Sequence, residues 1–439
     1  MDMATKVHRS VIEMLIAQAA GQCATFADLL ASLPGVGPDD AAFALDYLAA
    51  RHLIDPAAAD RLNPRAQTRR DSGVLAAEDD GLPCPHPLDY DWRFTPDAAE
   101  WMRTQCVQAS DPGDMIALLG TPTVLKAATA RPEGRRWALL EANPAVSAAL
   151  TRAAPRAVLR CDLARDNPPR LQARVVAADP PWYPAHTRVF LWAAAQVSML
   201  GAVVLLAQPG AGTRPGILAE RAELLAYAAK CGLRPVRISP GTLEYACPPF
   251  ERLVLERNGL AGAVPQTWRR GDLIELRHMT VRQQEKPELA GEQTWREVVL
   301  YCARLRFRLD RVAEKTRPAD PRLIPLVDGD ILTSVSRRDP ARRRAAVWTA
   351  SNRVFGCRTP GLLAVIASAL ANGEPTIPAA ATWLGSPPSP AEISRIEHAA
   401  NQLIRLARVE LAGGPAASKP AGSISGQPPP DPAIAGSQP

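Results

Sequence analysis

Short apolar runs alternate with amphipathic stretches through the middle of the chain, at the spacing of successive strands and helices. The runs predict strands over Met115–Leu119, Trp137–Leu140, Ala157–Leu159, Leu171–Ala178, Ala202–Ala207, Pro235–Ile238 and Arg252–Glu256. Apolar residues at helical spacing predict helices over Val124–Thr129, Pro144–Ala153, 187–199 and 217–231. This alternation favours an α/β domain over residues 90–260, built on a doubly wound, Rossmann-like sheet.

Before this domain, apolar residues recur at helical spacing in three segments, Lys6–Ala20, Thr25–Leu33 and Asp39–His52. Short helices joined by tight turns are typical of winged-helix and helix-turn-helix modules, so a winged-helix-like module is predicted over residues 1–60. A generic three-helix bundle is the alternative. Residues 61–89 are rich in Pro, Ala, Arg and Asp and are predicted to be a linker.

After the α/β domain, residues 266–411 are predicted to form a basic, mainly helical domain. Its main predicted element is a long amphipathic helix over Glu292–Arg317, in which arginines flank an apolar stripe. Further helices are predicted over Pro360–Leu370 and Ser389–Leu411. Residues 412–439 are rich in Pro, Gly, Ser and Ala, so this tail is predicted to be disordered.

Basic charge is concentrated in one short segment of the C-terminal region. The whole chain has a formal charge of +6, and segment 337–358 alone contains seven arginines and one acid. Arginines interleaved with Trp348 and Phe355 suit contact with phosphates and stacking on bases. A solvated face, or pairing with acids elsewhere in the chain, is the alternative. The candidate nucleic-acid-binding residues are Arg337, Arg338, Arg342, Arg343, Arg344 and Arg353.

The rest of the composition is that of an ordinary globular protein, 47% hydrophobic and 22% charged. The eight cysteines are scattered without a CxxC pair, so reduced thiols, no metal site and a cytoplasmic location are expected. The uncharged stretch Val189–Thr213 is long enough to raise the question of a membrane span. Gly201 divides it into a helix and a strand, so no span is predicted. The sequence leaves the oligomeric state open.

The segment Asp179-Pro-Pro-Trp-Tyr183 is the most informative feature of the chain. It follows the apolar run Ala173–Ala178 directly. Neither proline has an N–H group, and each restricts the residue before it, so the strand has to end here. A carboxylate and two aromatic rings are then presented at the carboxyl end of a strand, which is where open α/β sheets bind ligands.

Four positions together make the α/β region resemble a class I S-adenosylmethionine-dependent transferase of the amino-methyltransferase type. They are the loop at Gly120, the acids Glu141 and Asp162 at the ends of the next two strands, and the Asp-Pro-Pro-Trp motif after the fourth. The resemblance implies S-adenosylmethionine as cofactor and methylation of an exocyclic amino group, such as that of adenine in nucleic acid. It implies cofactor-binding roles for Gly120, Thr121, Glu141 and Asp162. It implies catalytic roles for Asp179 and the Pro180 carbonyl, which would bind the amino group, and for Trp182 and Tyr183, which would stack on the base.

Two alternatives remain open. The order of a helical module, Leu118-Leu119-Gly120, an acid after strand 2 and Asp-Pro-Pro after strand 4 is also similar to branched-chain polyamine synthases, which use decarboxylated S-adenosylmethionine. A polyamine site should be rich in carboxylates, and Trp182–His186 contains none. Because the cofactor loop has a single glycine, a non-catalytic nucleic-acid-binding protein with a relict transferase fold is the other alternative.

Overall fold

The N-terminal module is helical in the part of the chain that the structure describes. The computed structural model describes residues 3–33, 35–66, 81–131, 133–289, 294–309, 318–336 and 339–413. The module contains α1 (Met3–Ala19), α2 (Phe26–Ser32), α3 (Pro38–Ala50) and α4 (Pro56–Leu62). Thr25 caps α2 in a reciprocal capping box with Asp28. The helices predicted here are present, but residues 3–33 and 35–66 contain no strand that could form a wing.

The central domain is built on one eight-stranded sheet in the order β4-β3-β2-β5-β6-β8-β7-β1. Its strands are β1 (Arg93–Phe94), β2 (Met115–Leu119), β3 (Arg136–Glu141), β4 (Val158–Arg160), β5 (Ala173–Ala178), β6 (Ser198–Pro209), β7 (Leu233–Ala246) and β8 (Arg269–His278). Strands β2 to β6 pair in parallel, whereas β8 runs antiparallel to β6 and β7. The predicted α/β sheet is therefore confirmed.

Helices cover both faces of this sheet, and a separate buried apolar cluster lies on each face. They are α5 (Pro96–Gln108), α6 (Pro122–Ala130), α7 (Pro144–Ala153), α8 (Pro184–Val197) and α9 (Ile217–Lys230). A further helix, α10 (Pro249–Arg257), contributes Leu255 to the core of the N-terminal module. Strand β5 lies between β2 and β6, and its apolar side chains are fully buried. A continuous run of small apolar residues is what a strand covered on both faces requires.

Two predictions at the end of this domain are wrong. Residues 252–256 lie in α10 instead of a strand, because Pro249 starts a helix and Phe250 and Val254 are one helical turn apart. Strand β8 lies beyond the boundary predicted at residue 260 and inserts between β6 and β7. Its charged residues, among them Arg269 and Asp272, make the segment read as polar in sequence.

The C-terminal domain is a mixture of strands and helices instead of mainly helical. Its five-stranded sheet has the order β11-β13-β12-β10-β9 and is antiparallel throughout. The strands are β9 (Trp295–Leu300), β10 (Ala303–Arg308), β11 (Ile324–Pro325), β12 (Val347–Thr349) and β13 (Val354–Gly356). Helices α11 (Pro360–Asn372), α12 (Thr376–Leu384) and α13 (Pro390–Gly413) accompany the sheet. Residues 414–439 of the predicted tail lie outside the described residues.

The long helix predicted over Glu292–Arg317 is instead the hairpin of β9 and β10. Tyr301 and Cys302 form its turn with positive φ angles of 50° and 71°. In β10 the buried residues Leu305 and Phe307 alternate with arginines, a period of two that a strand requires. Of the predicted segment, residues 292–293 and 310–317 lie outside the described residues.

Residues 81–92, which we call the bridge segment, correct part of the predicted linker. His86 is fully buried and its Nε2 lies 3.3 Å from the Trp348 carbonyl of the C-terminal domain. Asp89 forms ion pairs with Arg304 at 3.0 Å and with Arg306 at 2.7 Å. The bridge segment therefore fixes the C-terminal sheet to the central domain. Among the described helices, none is long and apolar enough to cross a membrane.

The N-terminal module packs directly on the central domain. Its apolar core includes Leu255 and Leu260 at the end of α10. Asn258 donates a hydrogen bond of 2.9 Å to Asp39 at the start of α3. The backbone of Gly35 has a φ of +81° and lies so close to the loop after β6 that a Cβ there would be 3.0 Å from the Gly210 Cα.

The substitution Gly35→Ala should therefore loosen the module. The added methyl group meets both a positive φ and a close backbone contact, which we expect to cost about 1–3 kcal/mol of unfolding free energy. Thermal unfolding measures the loss of stability, and limited proteolysis between the module and the central domain measures the loosening of the module. Gly21→Ala is the matched control, since a Cβ at Gly21 would have nothing within 4 Å. Equal melting temperatures for the two variants would contradict the close packing.

Candidate active site

A cavity of about 1180 Å³ lies at the carboxyl ends of the parallel strands. Gly120, Glu141, Asp162 and Asp179, which follow or end β2 to β5 in turn, all line it. Its other walls come from the start of α3, from the bridge segment, from α10 and from residues 333–336 of the C-terminal domain. All three parts of the molecule thus enclose one site.

Asp179 lies at the end of β5, where its backbone N–H donates to the Leu119 carbonyl at 3.1 Å. Its carboxyl group accepts a hydrogen bond of 2.8 Å from the Tyr245 hydroxyl. Burial raises the pKa of Asp179 to about 8, against the opposing effect of that hydrogen bond. A carboxyl group with such a pKa exchanges a proton near neutral pH, as a general base or proton acceptor requires.

The residues after Asp179 turn away from the sheet, as the prolines predict, and α8 begins at Pro184. Trp182 packs edge-on against Tyr245, with ring centroids 5.3 Å apart. Tyr183 packs against Tyr90 of the bridge segment at 5.6 Å. Both motif aromatics are half-buried and line the cavity, so each has a ring face or edge within reach of a ligand.

The loop after β2 brings its backbone close to Asp179. Gly120 has a φ of +64°, and a Cβ there would lie 3.3 Å from the Phe190 ring and 3.4 Å from the Asp179 carbonyl. Glycine is needed here for both reasons. Thr121 is buried, its hydroxyl has no hydrogen-bond partner, and it is not among the described lining residues.

Glu141 and Asp162 occupy the adjoining strand ends, as predicted. The Asn143 N–H donates to Glu141 at 2.8 Å, but burial still raises the pKa of Glu141 to about 7. Asp162 is more exposed and pairs with Arg165 at 3.5 Å. The structure therefore brings together the predicted site residues of all four strand ends, with Thr121 behind the surface.

The bridge segment adds acids that the sequence interpretation assigned to a linker or passed over. Asp89 and Asp91 line the cavity beside Glu141, and both raise the pKa of Glu141 further. Asp91 is itself held by Arg93 at 2.6 Å, and Asn143 donates to Asp89 at 3.0 Å. The sequence feature that could have marked these acids as site residues is Asp89-Tyr-Asp91, in which two acids flank an aromatic residue.

Another part of the cavity wall is aromatic and includes the guanidinium of Arg269. Arg269 lies 3.5 Å from the Trp92 ring centroid and 5.3 Å from that of Trp182. Its Nη2 atom is 3.8 Å from Glu251. Burial raises the pKa of Glu251 to about 7 despite this arginine. Pattern alone could not place this wall, since β8 and α10 were both misassigned.

Comparison with known proteins identifies the fold. No protein-family model matches the chain, and no curated protein matches it. A solved structure of a branched-chain polyamine synthase mutein from Thermus thermophilus, in complex with N4-aminopropylspermidine and 5'-methylthioadenosine, is similar with a TM-score of 0.50 and 16% identity, covering 66% of this chain and 95% of that one. A putative RNA methyltransferase from Pyrococcus horikoshii is similar with a TM-score of 0.34 and 16% identity, covering 46% of this chain and 93% of that one.

The central domain has the class I methyltransferase fold. The strand ends at Gly120, Glu141, Asp162 and Asp179 lie along one edge of the sheet, and open α/β sheets bind ligands at this edge. The geometry described above places the cavity at that edge.

Acids outnumber bases around the cavity. Eight carboxylates and five arginines line it. The acids are Asp39, Asp40, Asp89, Asp91, Glu141, Asp162, Asp179 and Glu251. Trp182–His186 contains none of these acids, because the carboxylates come from segments that are remote in sequence. Within the described residues, no group of three or more His, Cys, Asp or Glu side chains is arranged to hold a metal ion.

The predicted basic segment is divided between core and surface. Trp348 is fully buried and Phe355 nearly so, hence neither ring is available for base stacking. Arg342 is buried over the Trp348 ring at 4.5 Å. Arg353 pairs with Glu410 at 3.4 Å. Arg343 and Arg344 are exposed, whereas Arg337 and Arg338 lie outside the described residues.

The buried carboxyl group of Asp179 should make the ligand-free protein less stable at higher pH. Because its folded-state pKa lies above the unfolded value, its contribution to stability is complete below about pH 4 and is lost as pH rises to about 8. Asp179→Asn should therefore stabilise the protein at about pH 8 and have a smaller effect at about pH 5. Melting temperatures across this pH range test it.

Asp60→Asn is the control, since Asp60 is an exposed carboxylate on α4 outside the cavity. It should leave the pH dependence of the melting temperature as in the unsubstituted protein. If Asp179→Asn changed stability equally at both pH values, burial would not govern the ionisation of Asp179.

Proposed function

We propose that the protein transfers an aminopropyl group from decarboxylated S-adenosylmethionine to a nitrogen of a linear polyamine. The observation that carries the proposal is the excess of carboxyl groups over arginines, eight against five, around a cavity at the carboxyl ends of the parallel strands, with Glu251 buried and five of the others half-buried. A buried carboxylate is costly unless a cation accompanies it, so such a cavity favours a cationic ligand and disfavours an anionic one. Polyamines and the decarboxylated donor are both polycations.

The cofactor edge supports a donor with a nucleoside. Gly120 lets the backbone approach the ligand closely, and the Glu141 carboxylate suits two hydrogen bonds from a ribose diol. Asp162, at the next strand end, suits the adenine. The donor supplies a sulfonium-activated carbon, and these residues orient it towards Asp179. As the acceptor nitrogen forms a bond to that carbon, the carbon–sulfur bond would break and neutral 5'-methylthioadenosine would leave.

The loop at Gly120 favours the decarboxylated donor over S-adenosylmethionine. Pro122 removes one N–H from the start of α6, where the carboxylate of a methionine group would need a donor.

Asp179 is proposed to take a proton from the acceptor nitrogen. An ammonium has no lone pair, so it has to be deprotonated before it attacks carbon. Tyr245 holds one carboxylate oxygen of Asp179 by its hydrogen bond of 2.8 Å and leaves the other for the amine. The Pro180 carbonyl accepts a further N–H, and Trp182 and Tyr183 bound the acceptor's methylene chain.

Methyl transfer from S-adenosylmethionine to an amino group is the second candidate, favoured by the Asp-Pro-Pro-Trp motif after β5. An exocyclic amino group of nucleic acid is a less suitable acceptor, because a polyanion would meet eight carboxylates around the cavity. Trp348 and Phe355 are also buried away from any base. A relict, non-catalytic fold is the third candidate, and it predicts that neither donor is bound.

The test is to incubate the purified full chain with each donor in turn, together with spermidine or with an adenine-containing oligonucleotide, and to identify products by mass spectrometry. We expect spermidine to gain an aminopropyl group from the decarboxylated donor. Asp179→Ala should slow this transfer about 10²–10⁴-fold while sparing donor affinity measured by calorimetry. Asp60→Asn should change neither.

Each alternative gives a different result. Methylation of the oligonucleotide, or tighter binding of S-adenosylmethionine than of the decarboxylated donor, would contradict aminopropyl transfer. Binding of neither donor would support the relict fold. Unchanged turnover in Asp179→Ala would remove this residue from the mechanism.

A further inference from the structure

The N-terminal module contributes part of the cavity wall, and its residues have no role in the proposed transfer reaction. We propose that Asp39 and Asp40 of α3, together with Glu251 of α10, form a subsite for a second ammonium group of the acceptor, remote from the reacting nitrogen. This inference rests on the proposed function, because it assigns the recognition of the acceptor. It makes the module a specificity element of the catalytic site.

Glu251 provides the observation that points to a ligand. It is 7% exposed, lines the cavity, and its Oε2 atom is buried without a hydrogen-bond partner. Arg269 approaches its other oxygen at 3.8 Å, which is longer than a hydrogen bond. A buried carboxylate oxygen with no partner is costly, and an ammonium N–H supplied by a ligand would satisfy it.

Asp39 and Asp40 face the same part of the cavity from the module. Both line it at the start of α3, and Asp39 is close enough to Glu251 to raise the pKa of that carboxyl group. The hydrogen bond from Asn258 at 2.9 Å fixes Asp39 relative to α10. Their side chains remain exposed, so they form the solvent side of the subsite and Glu251 its buried side.

An aromatic surface connects this subsite with the reacting centre. From Asp179 the contacts run to Tyr245 at 2.8 Å, and from the Tyr245 ring to that of Trp182 at 5.3 Å. Arg269 lies over Trp182 and next approaches Glu251. Tyr245 is itself buried, so a methylene chain would lie along the half-buried Trp182 ring while an ammonium group at each end meets a carboxylate.

The arginines nearby compensate the three carboxyl groups only in part. Arg65 binds Asp46 at 2.7 Å, and Arg269 is stacked between Trp92 and Trp268. The pKa values of Asp39, Asp40 and Glu251 are all raised by burial. Burial therefore outweighs the effect of the nearby basic groups, which are Arg65 for Asp39, His8 for Asp40 and Arg269 for Glu251.

The test is calorimetric binding of spermidine to the full chain, with butylamine as the counterpart that carries a single ammonium. Glu251→Gln and Asp40→Asn keep the shape of each side chain and remove its charge. We expect each substitution to weaken spermidine binding at least about tenfold and to leave butylamine binding unchanged. Asp60→Asn, on the same module but outside the cavity, should affect neither amine.

The outcomes separate this inference from the proposed function. If both substitutions leave spermidine affinity unchanged while the protein still transfers aminopropyl groups, the function stands and the subsite is wrong. If spermidine binds with the expected losses but no transfer occurs with either donor, the subsite stands and the function is wrong. Equal losses for spermidine and butylamine, or no binding of spermidine, would overturn the subsite.

Discussion

The structure depends on enclosing carboxyl groups in a space that solvates them poorly. Glu141, Asp179 and Glu251 each have a pKa raised by burial, to about 7, 8 and 7. Each lines the same cavity, so the folded protein holds several groups that are costly to ionise together. A cation that entered the cavity would lower that cost for all of them at once, and this is the physical basis of the proposed preference for a cationic ligand.

Three parts of the chain enclose these carboxyl groups by covering the ends of the parallel strands. In the class I fold the strand ends form an open edge, and here the N-terminal module, the bridge segment and the C-terminal domain cover it. Gly35 allows the module to approach the loop after β6, and the Asp89 ion pairs fix the bridge segment to β10. The cover brings acids with it, since Asp39 and Asp40 come from the module and Asp89 and Asp91 from the bridge segment.

The sequence predicted what depends on local pattern. Strands β2 to β5 are short apolar runs with an abrupt polar end, so both the sheet and the strand-end residues Glu141 and Asp179 could be found. Tyr245 and Glu251 could not be found, because they meet Asp179 and Asp39 only through packing of segments far apart in the chain. The helix predicted over Glu292–Arg317 was wrong because its apolar positions fit a period of two as well as one of 3.6, and pairing between β9 and β10 decides between them.

The basic segment 337–358 also shows that local composition does not predict where charged side chains lie in the folded protein. Its concentration of arginines predicted contact with nucleic acid, yet Arg342 is buried over Trp348 and Arg353 is paired with Glu410. The acids that determine the character of the cavity are dispersed along the chain and produce no comparable cluster in sequence. The cavity is therefore lined mainly by acidic groups, whereas the densest cluster of charge in the sequence, segment 337–358, is basic.

Proton exchange on ligand binding tests the central claim most directly. Spermidine binding at about pH 7, measured by calorimetry in buffers of different ionisation enthalpy, reports the number of protons released or taken up. Because the carboxyl groups should ionise when the polycation enters, the account predicts release of about one proton or more per spermidine, and less release in Asp179→Asn. Binding without proton release, or with proton uptake, would contradict it.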